Sequence, residues 1–91
     1  MSFRIDRVVV NHVVVLFLSG KLTGEHVETF RNVVRQESGA LAIDLKNVSL
    51  VDRDAAKFLG QAEQDRAELR NCPKYVREWV NRERAGMHEG N

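Results

Sequence analysis

The chain has 91 residues, of which 43% are hydrophobic and 30% charged, and its formal net charge is +1. That length holds one domain with a modest core, burying roughly 60–65% of the surface its unfolded chain exposes, and leaves little room to enclose a substrate. The mixed charge argues against a phosphate-neutralising nucleic-acid face, the apolar run over residues 13–18 is far too short to span a bilayer, and one cysteine cannot build an internal disulfide framework.

No basic region followed by an apolar stretch and a cleavage site opens the sequence. These features point to a cytoplasmic domain with no nucleic-acid partner and no direct membrane insertion.

Residues 3–10 read as a strand with β-branched residues concentrated toward its end. Asn11-His12 is a polar break of the kind that turns a hairpin, although the favoured Gly is missing. The unbroken apolar run of residues 13–18 then predicts a central strand covered on both faces. After Ser19-Gly20 the period changes. Thr23 is placed to cap a helix by accepting a backbone N–H bond, and Val27, Phe30 and Val34 form its apolar stripe. Gly39 is expected to end that helix.

Residues 40–45 return to period two, with Leu41, Ile43 and Leu45 on one face. A strand–helix–strand crossover of this kind sets its two strands parallel. Asp52 then precedes the cleanest helical stripe, Ala55, Phe58, Leu59 and Ala62. Residues 67–72 suggest a short edge strand, and Pro73 suits the first turn of a last helix striped by Val76, Trp79 and Val80. The order β-β-α-β-α-β-α predicts an α/β fold: a four-stranded mixed sheet with its helices packed largely on one face. One domain is expected over residues 1–84, with residues 85–91 a mobile polar tail.

Chemistry-bearing constellations are scarce. His12, His26 and His88 show no metal-ligand spacing with Cys, Asp or Glu and read as exposed polar residues. Gly20-Lys21 resembles part of a phosphate loop, but Val15 and Leu22 stand where that loop needs Gly and Ser or Thr. Cys72 reads as a small buried hydrophobe and Trp79 as a core anchor. No cofactor, metal or catalytic set emerges.

The informative segment runs Val48-Ser49-Leu50-Val51-Asp52-Arg53-Asp54-Ala55-Ala56, where a strand meets a helix N-terminus. Functional groups of α/β folds commonly sit at such junctions. Asp52 and Asp54 fall in the first turn, where the helix dipole and free N–H groups stabilise each carboxylate by roughly 0.3–1 kcal/mol. An N-cap with a second favourable acid also accounts for both.

Four motifs occur in an order and spacing that resemble the STAS domain family. They are Leu18-Ser19-Gly20-Lys21-Leu22-Thr23, Ala42-Ile43-Asp44-Leu45-Lys46-Asn47-Val48, Val51-Asp52-Arg53-Asp54-Ala55-Ala56 and Asn71-Cys72-Pro73, and the resemblance as a whole covers residues 5–80. Soluble members of that family include anti-sigma-factor antagonists that carry Asp-Ser-Ser-Gly at the third motif. The resemblance implies that Asp52 matches the motif's Asp, Arg53 its first Ser, Asp54 the phosphoacceptor Ser and Ala55 its Gly.

A carboxylate cannot accept phosphate as that hydroxyl does, so the resemblance implies a regulator without the serine switch, with Ser49 the nearest hydroxyl. It further implies a non-enzymatic module docking a protein partner through residues 52–57, with Arg53 and Lys57 contributing mixed charge. The partner would be an anti-sigma kinase, or a transport ATPase if the domain is a transporter accessory subunit. A homodimer is compatible with either role.

Overall fold

The computed structural model describes residues 3–89. Strand β1 (Phe3–Val10) and strand β2 (Val13–Leu22) form an antiparallel hairpin. Asn11 and His12 turn it with φ of 51° and 69°, so both central residues take the left-handed conformation of a type I′ turn without a glycine. Helix α1 (Gly24–Arg35) leads to strand β3 (Leu41–Val51), and helix α2 (Arg53–Asp65) leads to strand β4 (Ala67–Arg70). Helix α3 (Lys74–Glu89) follows. The sheet order is β1-β2-β3-β4, with β2, β3 and β4 mutually parallel, as the two crossovers require.

Side-chain alternation builds the core on one face of the sheet. Leu16 and Leu18 of β2 and Leu41, Ile43 and Leu45 of β3 are buried against Phe30, Ala55, Leu59, Val76 and Val80 from the three helices. Phe30 meets Phe58 edge-on at 5.1 Å between ring centroids, which packs α1 against α2. Central placement of β2 agrees with its apolar run, but coverage on both faces is only partial: on the face away from the helices Val15 is buried while Phe17 is not. Phe17 is 38% exposed, because the helices cover only the face from which Leu16 and Leu18 project.

Several boundaries differ from the sequence expectation. Helix α1 stops at Arg35, and Gln36 at its end remains right-handed, so Gly39 does not cap it. Capping comes from elsewhere: the Arg66 guanidinium donates to the Val34 and Glu37 carbonyl oxygens at 3.1 and 2.6 Å. Strand β3 runs on to Val51, absorbing two register irregularities against β2. Strand β4 ends at Arg70 because Asn71 takes a left-handed φ of 51° and turns the chain. Helix α3 continues through Glu89, beyond the expected start of the tail at residue 85; Gly90 and Asn91 lie outside the described residues.

The one buried charged residue among those described, Asp44, holds the sheet end together. Its carboxylate accepts from the Lys46 amide at 2.9 Å and from Asn71 Nδ2 at 2.8 Å. Both oxygens therefore replace the hydrogen bonds lost on leaving water.

Candidate functional site

Asp52 organises the junction that the sequence singled out. Its extended backbone, φ −99° and ψ −176°, places it at the N-cap of α2. There Oδ1 accepts from the Ala55 amide at 3.0 Å. The other oxygen, Oδ2, accepts from the Gly24 amide at 2.8 Å, the first residue of α1. The Asp52 amide itself donates to the Leu22 carbonyl at 3.3 Å. One side chain thus satisfies orphan donors at two helix N-termini and joins the loops that leave β2 and β3.

The start of α1 is closed by a second device. Thr23 is its N-cap, and His26 Nδ1 lies 3.5 Å from the Thr23 amide and 3.4 Å from Thr23 Oγ1. The His26 ring stacks on Phe3 at 4.6 Å. His26 is therefore half-buried in the helix entry rather than a plain exposed polar residue. His12 is exposed in the hairpin turn, and His88 falls in α3 with its side chain outside the described residues.

Around this pin the expected site residues separate. Arg53, Asp54 and Lys57 are exposed on the first turns of α2. Asp54 lies beside α1: a methyl group on Gly24 would stand 2.9 Å from Asp54 Oδ2. Arg53 reaches toward α3, with Nε 3.5 Å from a Glu83 carboxylate oxygen. Ser49 is exposed but lies in β3, on the strand side of the junction. Ala55 does not join the surface. Its side chain is fully buried in the core, because the N-cap geometry turns that helical position inward, and it contributes only its amide.

A shallow groove between α1 and α2 opens from Gly24 and Asp54 past Val27, Lys57 and Gln61. Arg31 lies over the Phe58 ring at 5.1 Å to its centroid, a cation–π contact on the groove floor. The far side of α2 is tied to α3 by Glu63, whose carboxylate accepts from Arg77 and Arg84, with shortest contacts of 2.9 Å to each. The Arg77 hydrogen bonds, reinforced by the charge of both guanidiniums, hold the Glu63 carboxyl below the usual range against the opposing effect of burial.

Gly24, Arg31 and the Glu63–Arg77–Arg84 cluster went unnoticed in the sequence. Only the conspicuous spacing of acids and bases along the two helices could have signalled the last, and it does not say which helices touch.

Trp79 is half-buried against the core with Arg82 over its ring, and Cys72 packs partly against the same core. Burial, the largest influence, pushes the Cys72 thiol up. Among the described residues, no group of three or more His, Cys, Asp or Glu side chains is arranged to hold a metal ion. No described helix is long and apolar enough to cross a membrane.

No family model matches the sequence, and no curated protein matches it. The crystal structure of an anti-sigma-factor antagonist STAS domain from Rhodobacter sphaeroides does match in three dimensions. The TM-score is 0.58 at 19% sequence identity, covering 76% of this chain and 84% of that one. The mixed four-stranded sheet with three helices in the order β-β-α-β-α-β-α is the STAS fold.

Proposed function

We propose that this domain is a protein-interaction module that regulates by partner switching, docking through the N-terminal turns of α2 and the adjoining mouth of the α1–α2 groove. The observation that carries the reading is the double cap by Asp52. It holds two helix N-termini in one rigid arrangement and leaves Arg53, Asp54 and Lys57 exposed around it. A rigid patch of mixed charge suits partner selection and steering more than raw affinity. It binds; it does not catalyse.

Asp54 stands where the resemblance expects a phosphoacceptor serine. Phosphoserine carries about −1.5 to −2 charges at neutral pH, whereas a carboxylate carries about one. The domain therefore holds a constant, weaker imitation of the phosphorylated surface. Its partner, on this reading, is a cytoplasmic anti-sigma kinase toward which wild type rests in an off-like state.

Tagged wild type and Asp54→Ser, used as parallel baits, test this. Capture of a kinase-type anti-sigma factor, stronger with Asp54→Ser, and phosphorylation of Asp54→Ser but not wild type, are the expected results. Kinase-dependent phosphate on wild type, with Ser49 the residue to check, counts against a fixed charge. Equal capture of a transport ATPase by both baits replaces this reading with the transporter accessory one.

A further inference from the structure

The two edges of the sheet are unlike. Strand β4 is four residues long and carries Glu68 and Arg70, two of the usual ways of blunting an edge. Strand β1 is eight residues long, contains neither Pro nor Lys, and confines its charges to Arg4, Asp6 and Arg7. Its last three residues are Val8, Val9 and Val10, exposed by 43%, 55% and 47%. Three consecutive exposed valines on an open edge form a template for another strand.

Hairpin geometry decides which backbone groups are free. Val10 and Val13 flank a two-residue turn and form a hydrogen-bonded pair, so Val8, Asp6 and Arg4 also bond to β2. The N–H and C=O groups of Val9, Arg7 and Ile5 consequently point away from the sheet. An antiparallel two-fold pairing centres either on one of these three, as a hydrogen-bonded pair, or on Val8, Asp6 or Arg4, as a non-hydrogen-bonded pair. Centres on Asp6 and Arg4 set like charges face to face, and one on Val8 sets Val9 against the partner's Arg7 and Val10 against the partner's Asp6.

Charge then selects among them. An axis at Arg7 sets two guanidiniums opposite each other. An axis at Ile5 carries the three valines past the partner's Phe3, where β1 begins, so the partner's strand does not cover them. An axis at Val9 pairs Val9 with itself and Val8 with the partner's Val10, and sets Arg7 against the partner's Asn11. This register covers all three valines, brings no like charges together, and leaves the Arg4–Asp6 ion pair outside the ladder.

The apolar surface also continues inward. Val8 is registered with Val15 and Val10 with Val13, on the face of the sheet without helices, where Phe17 is exposed as well. Pairing across the two-fold would extend that stripe from one copy into the next.

We infer that β1 is a homodimerisation edge, joining a second copy antiparallel about Val9 into a continuous eight-stranded sheet. The site lies away from α2, so it stands independently of the partner proposed above.

Sedimentation of the full chain from micromolar to millimolar concentration is the first test. A monomer–dimer equilibrium is expected, and Val9→Lys, which sets two ammonium groups face to face, raises its dissociation constant roughly tenfold or more with the circular dichroism spectrum unchanged. The register is tested by oxidation in a Cys72→Ala background. Mixed Val8→Cys and Val10→Cys chains should cross-link, because a non-hydrogen-bonded pair brings Cα atoms to about 4.5 Å, within disulfide reach. Neither variant alone should do so. A chain monomeric throughout the range, a dimer that Val9→Lys leaves intact, or cross-linking by either single variant overturns the inference. So does protection of the β1 edge from hydrogen exchange only when a different protein is added.

Discussion

The carboxylate of Asp52 reaches across 28 positions of sequence to accept the Gly24 amide at 2.8 Å while its other oxygen caps its own helix. This contact fixes the spacing of the α1 and α2 entries and so the mouth of the groove between them. Asp54, two residues on, shares the surface but not the burden. The hydrogen bonds that hold the two helix entries and the exposed charge beside them are thereby divided between two neighbouring aspartates.

Asp52→Ala is expected to destabilise the fold by about 1–3 kcal/mol, since an N-cap alone contributes about 0.5–2 kcal/mol and the Gly24 amide also loses its acceptor. Asp54→Ala, on an exposed side chain, should stay within about 0.5 kcal/mol of wild type. Urea denaturation of the two variants checks the division. Equal losses would show that both aspartates are structural.

Gly24→Ala bears on the same contact. The new methyl would lie 2.9 Å from Asp54 Oδ2 and 3.3 Å from Asp54 Cβ, so the carboxylate must rotate and the helix entries must part slightly. The variant should remain folded, with a stability change of about 1 kcal/mol or less. It should weaken partner binding by more than that stability change accounts for. Comparing its denaturation midpoint with its affinity for the captured partner measures both.

The Glu63 carboxyl is held below its ordinary value chiefly by its hydrogen bonds to Arg77. A depressed folded-state value means stabilisation that is fully present above the unfolded-state value of about 4.3 and lost as pH falls toward the lower folded one. Stability should therefore decline below about pH 4.3, with Glu63 contributing to the slope. Glu63→Gln should flatten that acid limb and lower stability at neutral pH. Urea midpoints measured across the acid range test this, and an unchanged slope would exclude Glu63 as a contributor.

His12 occupies a left-handed position with φ of 69°. Left-handed backbone costs a non-glycine residue roughly 1–2 kcal/mol, and Asn-Gly is the favoured pair for this turn. After the entropy that glycine loses on folding, His12→Gly should stabilise the domain by about 0.5–1 kcal/mol. A raised denaturation midpoint is the expected reading; a lowered one would mean that the His12 side chain makes a contact worth more than the strain.

Local chemistry decided much of this molecule. The Asn11-His12 break, the stripe Ala55, Phe58, Leu59 and Ala62, and the cap at Asp52 were legible because hydrophobic period and capping act over a few residues. Right-handed crossovers then made the parallel pairing of β2, β3 and β4 predictable from element order. The end of α1 was not legible, since Arg66, distant in sequence, caps carbonyls that a local glycine was expected to release.

Tertiary structure alone decided what each aspartate does. Sequence placed Asp52, Asp54 and Ala55 together in one first turn. Folding sent the Asp52 carboxylate to a second helix, left Asp54 in solvent and buried Ala55 in the core. It also decided that the apolar run of β2 would leave Phe17 exposed on the face away from the helices and that three valines of β1 would lie bare at an edge. Periodicity records which side chains share a face; only the packing of distant elements determines whether anything covers it.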